Sequence, residues 1–167
     1  GNLAIGVKIV PLISHLEQIS RYSGLADRPE ITSKPDPSKP LPSDYSPGLC
    51  MSSAATRGMV RSWLDKIAAV DGVTDMMVWL SEERSPCFCE KCVGKEPFEL
   101  EVQAITGAFE QVKKQYPGAR LRLLTTQGSY DVNDKVIAGA PTDVGISYYD
   151  GSRTYNSSRK PMIYPLL

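Results

Sequence analysis

Three cysteines, Cys87, Cys89 and Cys92, fall within six positions of one another, a few residues after the adjacent acids Glu82 and Glu83. Thiolates at Cys-x-Cys-x-x-Cys spacing can converge on one zinc ion, with a fourth ligand from elsewhere in the chain. Cys50 is the natural fourth ligand; His15, the single histidine, is a weaker one. A site with so many thiolates is a poor activator of water, so the zinc expected here is structural and pins the loop that follows Glu82. The competing reading is a loop of reduced thiols with no metal. A disulfide scaffold would spread its bridges through a smaller, loop-rich chain. Reduced cysteines in turn favour a cytoplasmic location.

Glu82 and Glu83 point to opposite sides of an extended chain, so only one of them can face a cleft. A glutamate whose pKa is raised by burial serves as a general acid, protonating a glycosidic oxygen as the bond breaks. Glu82, Glu83 and His15 are the catalytic candidates; solvated loop acids and a structural histidine are the plainer alternatives. Glu17, Gln127, Tyr148, Asp150 and Arg153 stand at other strand ends and are candidates for holding a substrate. Carboxylates, amides, tyrosines and arginines on one rim suit a carbohydrate or another small polar molecule. An esterase would need Ser81 or Ser14 paired with His15. No G-x-S-x-G elbow supports that, and Gly128-Ser129 lacks the frame.

These groups need elements to position them. Residues 5–13 carry Ile, Val and Leu on both alternating faces, the pattern of a strand buried on both sides. A polar segment over about 33–47 follows, broken by Pro35, Pro37, Pro40, Pro42 and Pro47, and reads as an irregular excursion. Ser52 or Ser53 can cap a helix in which Met59, Val60, Trp63, Leu64 and Ile67 recur at helical spacing, ended by Asp71-Gly72. A strand is expected over 73–80. A helix from Pro97 to about Tyr116 comes next, with Leu100, Ala104, Ile105, Ala108, Phe109 and Val112 on one face. A strand over 121–126, a short helix over 132–140, a strand over 143–149 and a further element near Ile163 complete the series.

Strands alternating with helices imply a parallel sheet with right-handed crossovers. A full eight-stranded barrel needs about 250 residues, so 167 residues in a single α/β domain (1–167) correspond to about half of a TIM-type parallel (β/α) barrel. A doubly wound open sheet is the alternative, and the absence of a Gly-rich phosphate loop weakens its nucleotide-binding version. Both ends read as cut, so the expectation is self-association or membership of a longer chain. Lys+Arg and Asp+Glu balance at 19 each, which gives no electrostatic footprint for nucleic acid or an anionic membrane. No apolar run approaches the ~20 residues of a spanning helix.

Three segments together resemble the central part of the family 20 glycoside hydrolase barrel, the hexosaminidase-related fold. They are Val7 to Ile13, then Gly48-Leu49-Cys50-Met51-Ser52-Ser53 ahead of a helix, then a strand ending in Ser81-Glu82. The Cys-x-Cys-x-x-Cys loop, followed by a helix ending in Tyr116-Pro117, is similar to uncharacterised barrel proteins related to hexosaminidases and α-glucuronidases. The resemblance covers roughly residues 3–150 and implies that Glu82 is the general acid. Ser81 stands where hexosaminidases carry the aspartate that orients the substrate acetamido group. A second carboxylate would then come from Glu17, Asp150 or outside this chain. The other class of function is a non-catalytic, zinc-stabilised carbohydrate-binding scaffold.

Overall fold

The computed structural model describes residues 8–17, 24–43 and 45–149. Four strands form one sheet: β1 (Leu12–Ile13), β2 (Asp75–Trp79), β3 (Arg120–Thr126) and β4 (Gly145–Tyr149). All neighbouring pairs are parallel and the order is β1-β2-β3-β4, with no reversal. Crossovers of one hand in such an order place their helices on the same face of the sheet. Those helices are α1 (Ala54–Ala68), α2 (Pro97–Gln115) and α3 (Asn133–Gly139).

The first described strand is shorter than the expected 5–13 run. Only Leu12 and Ile13 pair with β2, through Met77 and Val78, and residues 1–7 lie outside the described set. The expected element near Ile163 also lies outside it. Elsewhere the bounds move by a residue or two, because pairing rather than hydropathy decides where a ladder ends.

Alternation along β2 and β3 divides the sheet's two faces. Met76, Val78, Leu121 and Leu123 are buried against the helices, where Val60, Leu64, Ile105 and Phe109 meet them in a continuous core. Met77, Trp79, Leu124 and Tyr149 are only half-buried on the opposite face, and Leu12 there is 45% exposed. The helices start where the chain chemistry says they should. Ser53 caps α1, its Oγ accepting from the backbone N–H groups of Ala55 and Thr56. Pro97 opens α2 behind Glu96, whose carboxylate accepts from Phe98 N–H.

At the N-terminal end of the sheet Asp75 is 1% exposed and surrounded by cations. Lys8 bonds it, Arg120 Nε lies 3.0 Å away and Arg122 Nη2 3.8 Å away. The Lys8 bond and the Arg120 and Arg122 charges outweigh desolvation and hold its carboxyl below the ordinary range. This network ties the lower ends of β2 and β3 together. The site chemistry lies at the other end.

Candidate functional site: a four-thiol centre beside the acidic strand ends

Cys50 arrives from the proline-rich excursion. Its N–H donates to Ile31 O at 2.8 Å, beside the antiparallel bridge between Thr32 and Leu49 and the bond from Ser33 N–H to Gly48 O at 2.8 Å. These contacts close the neck of the excursion and set Cys50 three residues before the cap of α1. On the other side, Cys92 N–H and Val93 N–H both donate to Cys89 O, at 3.0 and 2.9 Å, folding the second half of the cysteine loop into a tight turn. Two further bonds join the halves: Phe88 N–H donates to Lys34 O at 2.9 Å, and Lys34 N–H donates to Cys87 Sγ at 3.3 Å.

The four Sγ atoms consequently lie within 4.8 Å of one another. Cys50 Sγ is 3.8 Å from both Cys89 Sγ and Cys92 Sγ. A tetrahedral ion with metal–sulfur bonds of about 2.3 Å requires sulfur–sulfur edges of about 3.8 Å. The four cysteines are free thiols; none is in a disulfide. Cys50, Cys87 and Cys92 are buried and Cys89 is half-buried. Burial pushes the Cys50 and Cys87 thiols up, and the neighbouring Cys87 and Cys92 raise Cys50 further. Desolvation also acts on Cys89, but hydrogen bonds from Cys92, Cys87 and the Lys91 backbone outweigh it and lower that thiol to about 7. A bound cation would relieve the strain of holding four such groups together. The group can hold a metal ion, and His15 is not part of it.

The strand ends lie next to this centre. Ser81 N–H and Oγ–H both donate to Glu101 Oε1, at 3.0 and 3.1 Å, and Glu82 N–H donates to Glu17 Oε1 at 2.8 Å. Two carboxylates from different elements therefore grip two consecutive peptide groups. Burial pushes Glu101 up to about 8, and the charge of Glu17 adds to the rise; the Ser81 bonds oppose it. Sequence reasoning missed Glu101. Its signal was its place on the apolar stripe of α2, between Phe98 and Ile105 at helical spacing.

The two adjacent acids lie in a bend past the end of β2, Glu82 half-buried and Glu83 exposed. Glu83 lines a water-sized cavity of about 20 Å³ together with Glu17, Ser81 and Glu101, whereas Glu82 does not line it. Ser81 Oγ is turned to Glu101 and not to His15. His15 packs its ring 4.0 Å from that of Trp79, and Trp79 meets Tyr149 edge-on at 5.3 Å. Tyr148, the other tyrosine at the end of β4, is half-buried. Of the remaining substrate-binding candidates, Asp150 and Arg153 lie outside the described residues, as does the Gln127 side chain.

The β3 end is pinned against Glu82 by close backbone approach. A Cβ on Gly128 would lie 1.7 Å from Glu82 O. Thr126 Oγ1 caps Gly128 N–H at 3.2 Å, and Ser129 Oγ donates to Asn133 Oδ1 at 2.7 Å, so this turn has little freedom to yield. Gly128→Ala is expected to destabilise the protein by about 1–3 kcal/mol, the usual cost of overpacking. A denaturant midpoint equal to that of the parent would contradict this close approach.

No protein-family model matches the chain, and neither the curated proteins nor the solved structures contain a significant match. Fold and site by themselves define the class: an α/β protein with a four-stranded parallel sheet and a four-cysteine cluster suited to a metal ion. Among the described residues no helix is long and apolar enough to cross a membrane.

Proposed function

We propose that the chain is a segment of a glycoside-hydrolase-like (β/α) barrel, carbohydrate-active, with a structural zinc ion at Cys50, Cys87, Cys89 and Cys92. The observation that carries this reading is the gathering, at the C-terminal ends of adjacent parallel strands, of the Glu17 carboxylate, which accepts from the Glu82 backbone N–H, and the ring pair Trp79 and Tyr149. Barrel enzymes place their chemistry at that end. The unreversed strand order favours a barrel over a doubly wound sheet, where a ligand site needs a switch in strand order. In this reading the face bearing Trp79 and Tyr149 is the barrel interior, continued by further β/α units or a second copy.

Zinc is favoured over other ions because four sulfur donors at tetrahedral spacing suit a soft-tolerant ion with no geometric preference of its own. Four protein ligands leave no position for water, so the ion's role is to fix the loop that follows Glu82. Glu82 acts as the proton donor to the leaving oxygen, and Glu17, whose carboxylate holds the Glu82 peptide group, is the candidate second carboxylate.

The test is a panel of aryl glycosides with aryl esters alongside. Glycoside hydrolysis is expected in the parent protein and a loss of at least 100-fold in kcat in Glu82→Gln, within the range for removal of a general acid. Activity that survives in Glu82→Gln removes Glu82 from the role. Hydrolysis of the esters alone would overturn the glycosidase reading.

A further inference from the structure

Between the proline-rich excursion and the cysteine loop lies a cavity of about 330 Å³, within the size range of small-ligand sites. We propose that this cavity binds a neutral hexose unit and that its walls hold together only while the four-thiol centre carries its metal. The proposal rests on the carbohydrate reading above and adds a subsite and a ligand class to it.

The walls are rigid. Pro35, Pro40 and Pro42 from the excursion face Pro86 and Phe88 from the cysteine loop, with Tyr45 at the rim, 37% exposed. Prolines have little conformational freedom to lose, so a site built on them is ordered before its ligand arrives. The hydroxyls of Ser33, Ser46 and Ser85 stand among these apolar surfaces. An aromatic and proline wall with interspersed hydroxyls matches a ring that has one apolar face and a rim of hydroxyl groups.

The charges of the lining argue for a neutral ligand. Lys39 pairs with Asp36 at 3.3 Å, and Asp36 also accepts from Ser38 N–H and Oγ–H. Arg84 is paired with both Glu96 and Asp131, at 3.2 and 2.9 Å. Each cation of the described lining thus already faces a carboxylate, which leaves no charge set aside for a phosphate or a uronate.

The two walls are joined where the metal centre sits. Lys34 N–H reaches Cys87 Sγ, and Phe88 N–H reaches Lys34 O. At the neck the two segments are in close contact: a Cβ on Gly48 would meet Ser85 Oγ at 2.1 Å and Ser85 Cβ at 3.1 Å, so the Ser85 side chain would have to turn aside to admit one. Cys50 follows Gly48 by two residues and Cys87 follows Ser85 by two, so one ion bound to both thiolates locks both walls. Ser85 also lines the small cavity that holds Glu17, Glu83 and Glu101, which places the subsite beside the acids.

The experiment measures binding of the methyl glycosides of glucose, galactose and mannose to the zinc-loaded protein by ligand-observed NMR, with glucuronate and inorganic phosphate as charged comparators. At least one methyl hexoside is expected to bind at millimolar concentration, more tightly than either comparator. Tyr45→Ala, a rim change remote from the core, is expected to weaken that binding at least tenfold with the melting temperature unchanged. Chelation should abolish binding, and added zinc should restore it. No hexoside binding to the zinc-loaded protein, equal binding by Tyr45→Ala, tighter binding of a comparator or full binding after metal removal would each overturn the proposal. Glycoside hydrolysis whose KM ignores Tyr45→Ala would sink the subsite and leave the glycosidase reading standing. Hexoside binding at this cavity without hydrolysis would do the reverse.

Discussion

Removal of the metal from the purified protein is expected to lower its melting temperature by roughly 10 °C or more. Structural zinc sites contribute on the order of 10 kcal/mol in small folding units, and each kcal/mol moves the midpoint of a domain of this size by roughly 2–4 °C. Only part of that energy is at stake here, because the helices and sheet have a core of their own. The cysteine loop has no such core. Its Cys87 and Cys92 form a separate small cluster with Cys50 of the excursion, and Cys89 and Leu100 pack against it. Without an ion, three buried thiols and their neighbour have as partners only one another and backbone N–H groups, those of Lys34 and Lys91 among them. Elemental analysis should give one zinc per chain, and a thiol reagent should find the four cysteines protected in the loaded protein and reactive after chelation. Cys92→Ser should reproduce the loss. A protein that folds without metal and melts at the same temperature with and without chelator would refute the site.

Glu101→Gln is expected to stabilise the protein at alkaline pH. Glu101 is fully buried and its folded pKa, about 8, lies above the 4.5 of the free side chain. The native state therefore binds this proton more tightly than the unfolded chain does. Its contribution is present in full below pH 4.5 and is lost as the pH rises through 8. Glutamine keeps the volume and the acceptor oxygen for Ser81, cannot ionise, and can turn its NH₂ toward Glu17. At pH 8 the variant should exceed the parent by on the order of 3 kcal/mol, and the two should converge near pH 4.5. Denaturant titrations across pH 4.5–8.5 read this directly; parallel curves would show that Glu101 titrates in the native protein as it does in the unfolded chain, with no raised pKa. The same substitution carries a message for the site, since Glu101 and Glu17 hold the consecutive N–H groups of Ser81 and Glu82. A stable Glu101→Gln that alters the pH profile of hydrolysis would identify it as a positioning residue.

Much of this arrangement is legible in the amino-acid sequence itself. Helix α1 could be placed from Ser53 and the recurrence of Met59, Val60, Trp63 and Leu64, and α2 from Pro97 and the Pro117-Gly118 stop, because capping and 3.6-residue periodicity are local properties. The cysteine group, Cys50 included, followed from spacing and from its place before α1. Less legible was the first strand, where apolar residues run on both faces; pairing is seen only at Leu12 and Ile13. Glu101 went unnoticed because a lone acid in an amphipathic helix reads as a solvated position until the strand end above it is known.

The sequence alone determined the alternation of strands and helices, the boundaries of all but the first strand to within a residue or two, and the residues able to ligate a metal. Each of those depends on neighbours along the chain. Tertiary structure alone decided three further things: the single-sided winding, which follows from strand order; the approach of four sulfurs to within 4.8 Å; and the union of Glu17, Ser81 and Glu101 beneath the acidic strand end. Those depend on groups 20 to 65 positions apart meeting in space. No local rule of propensity or spacing carries that distance.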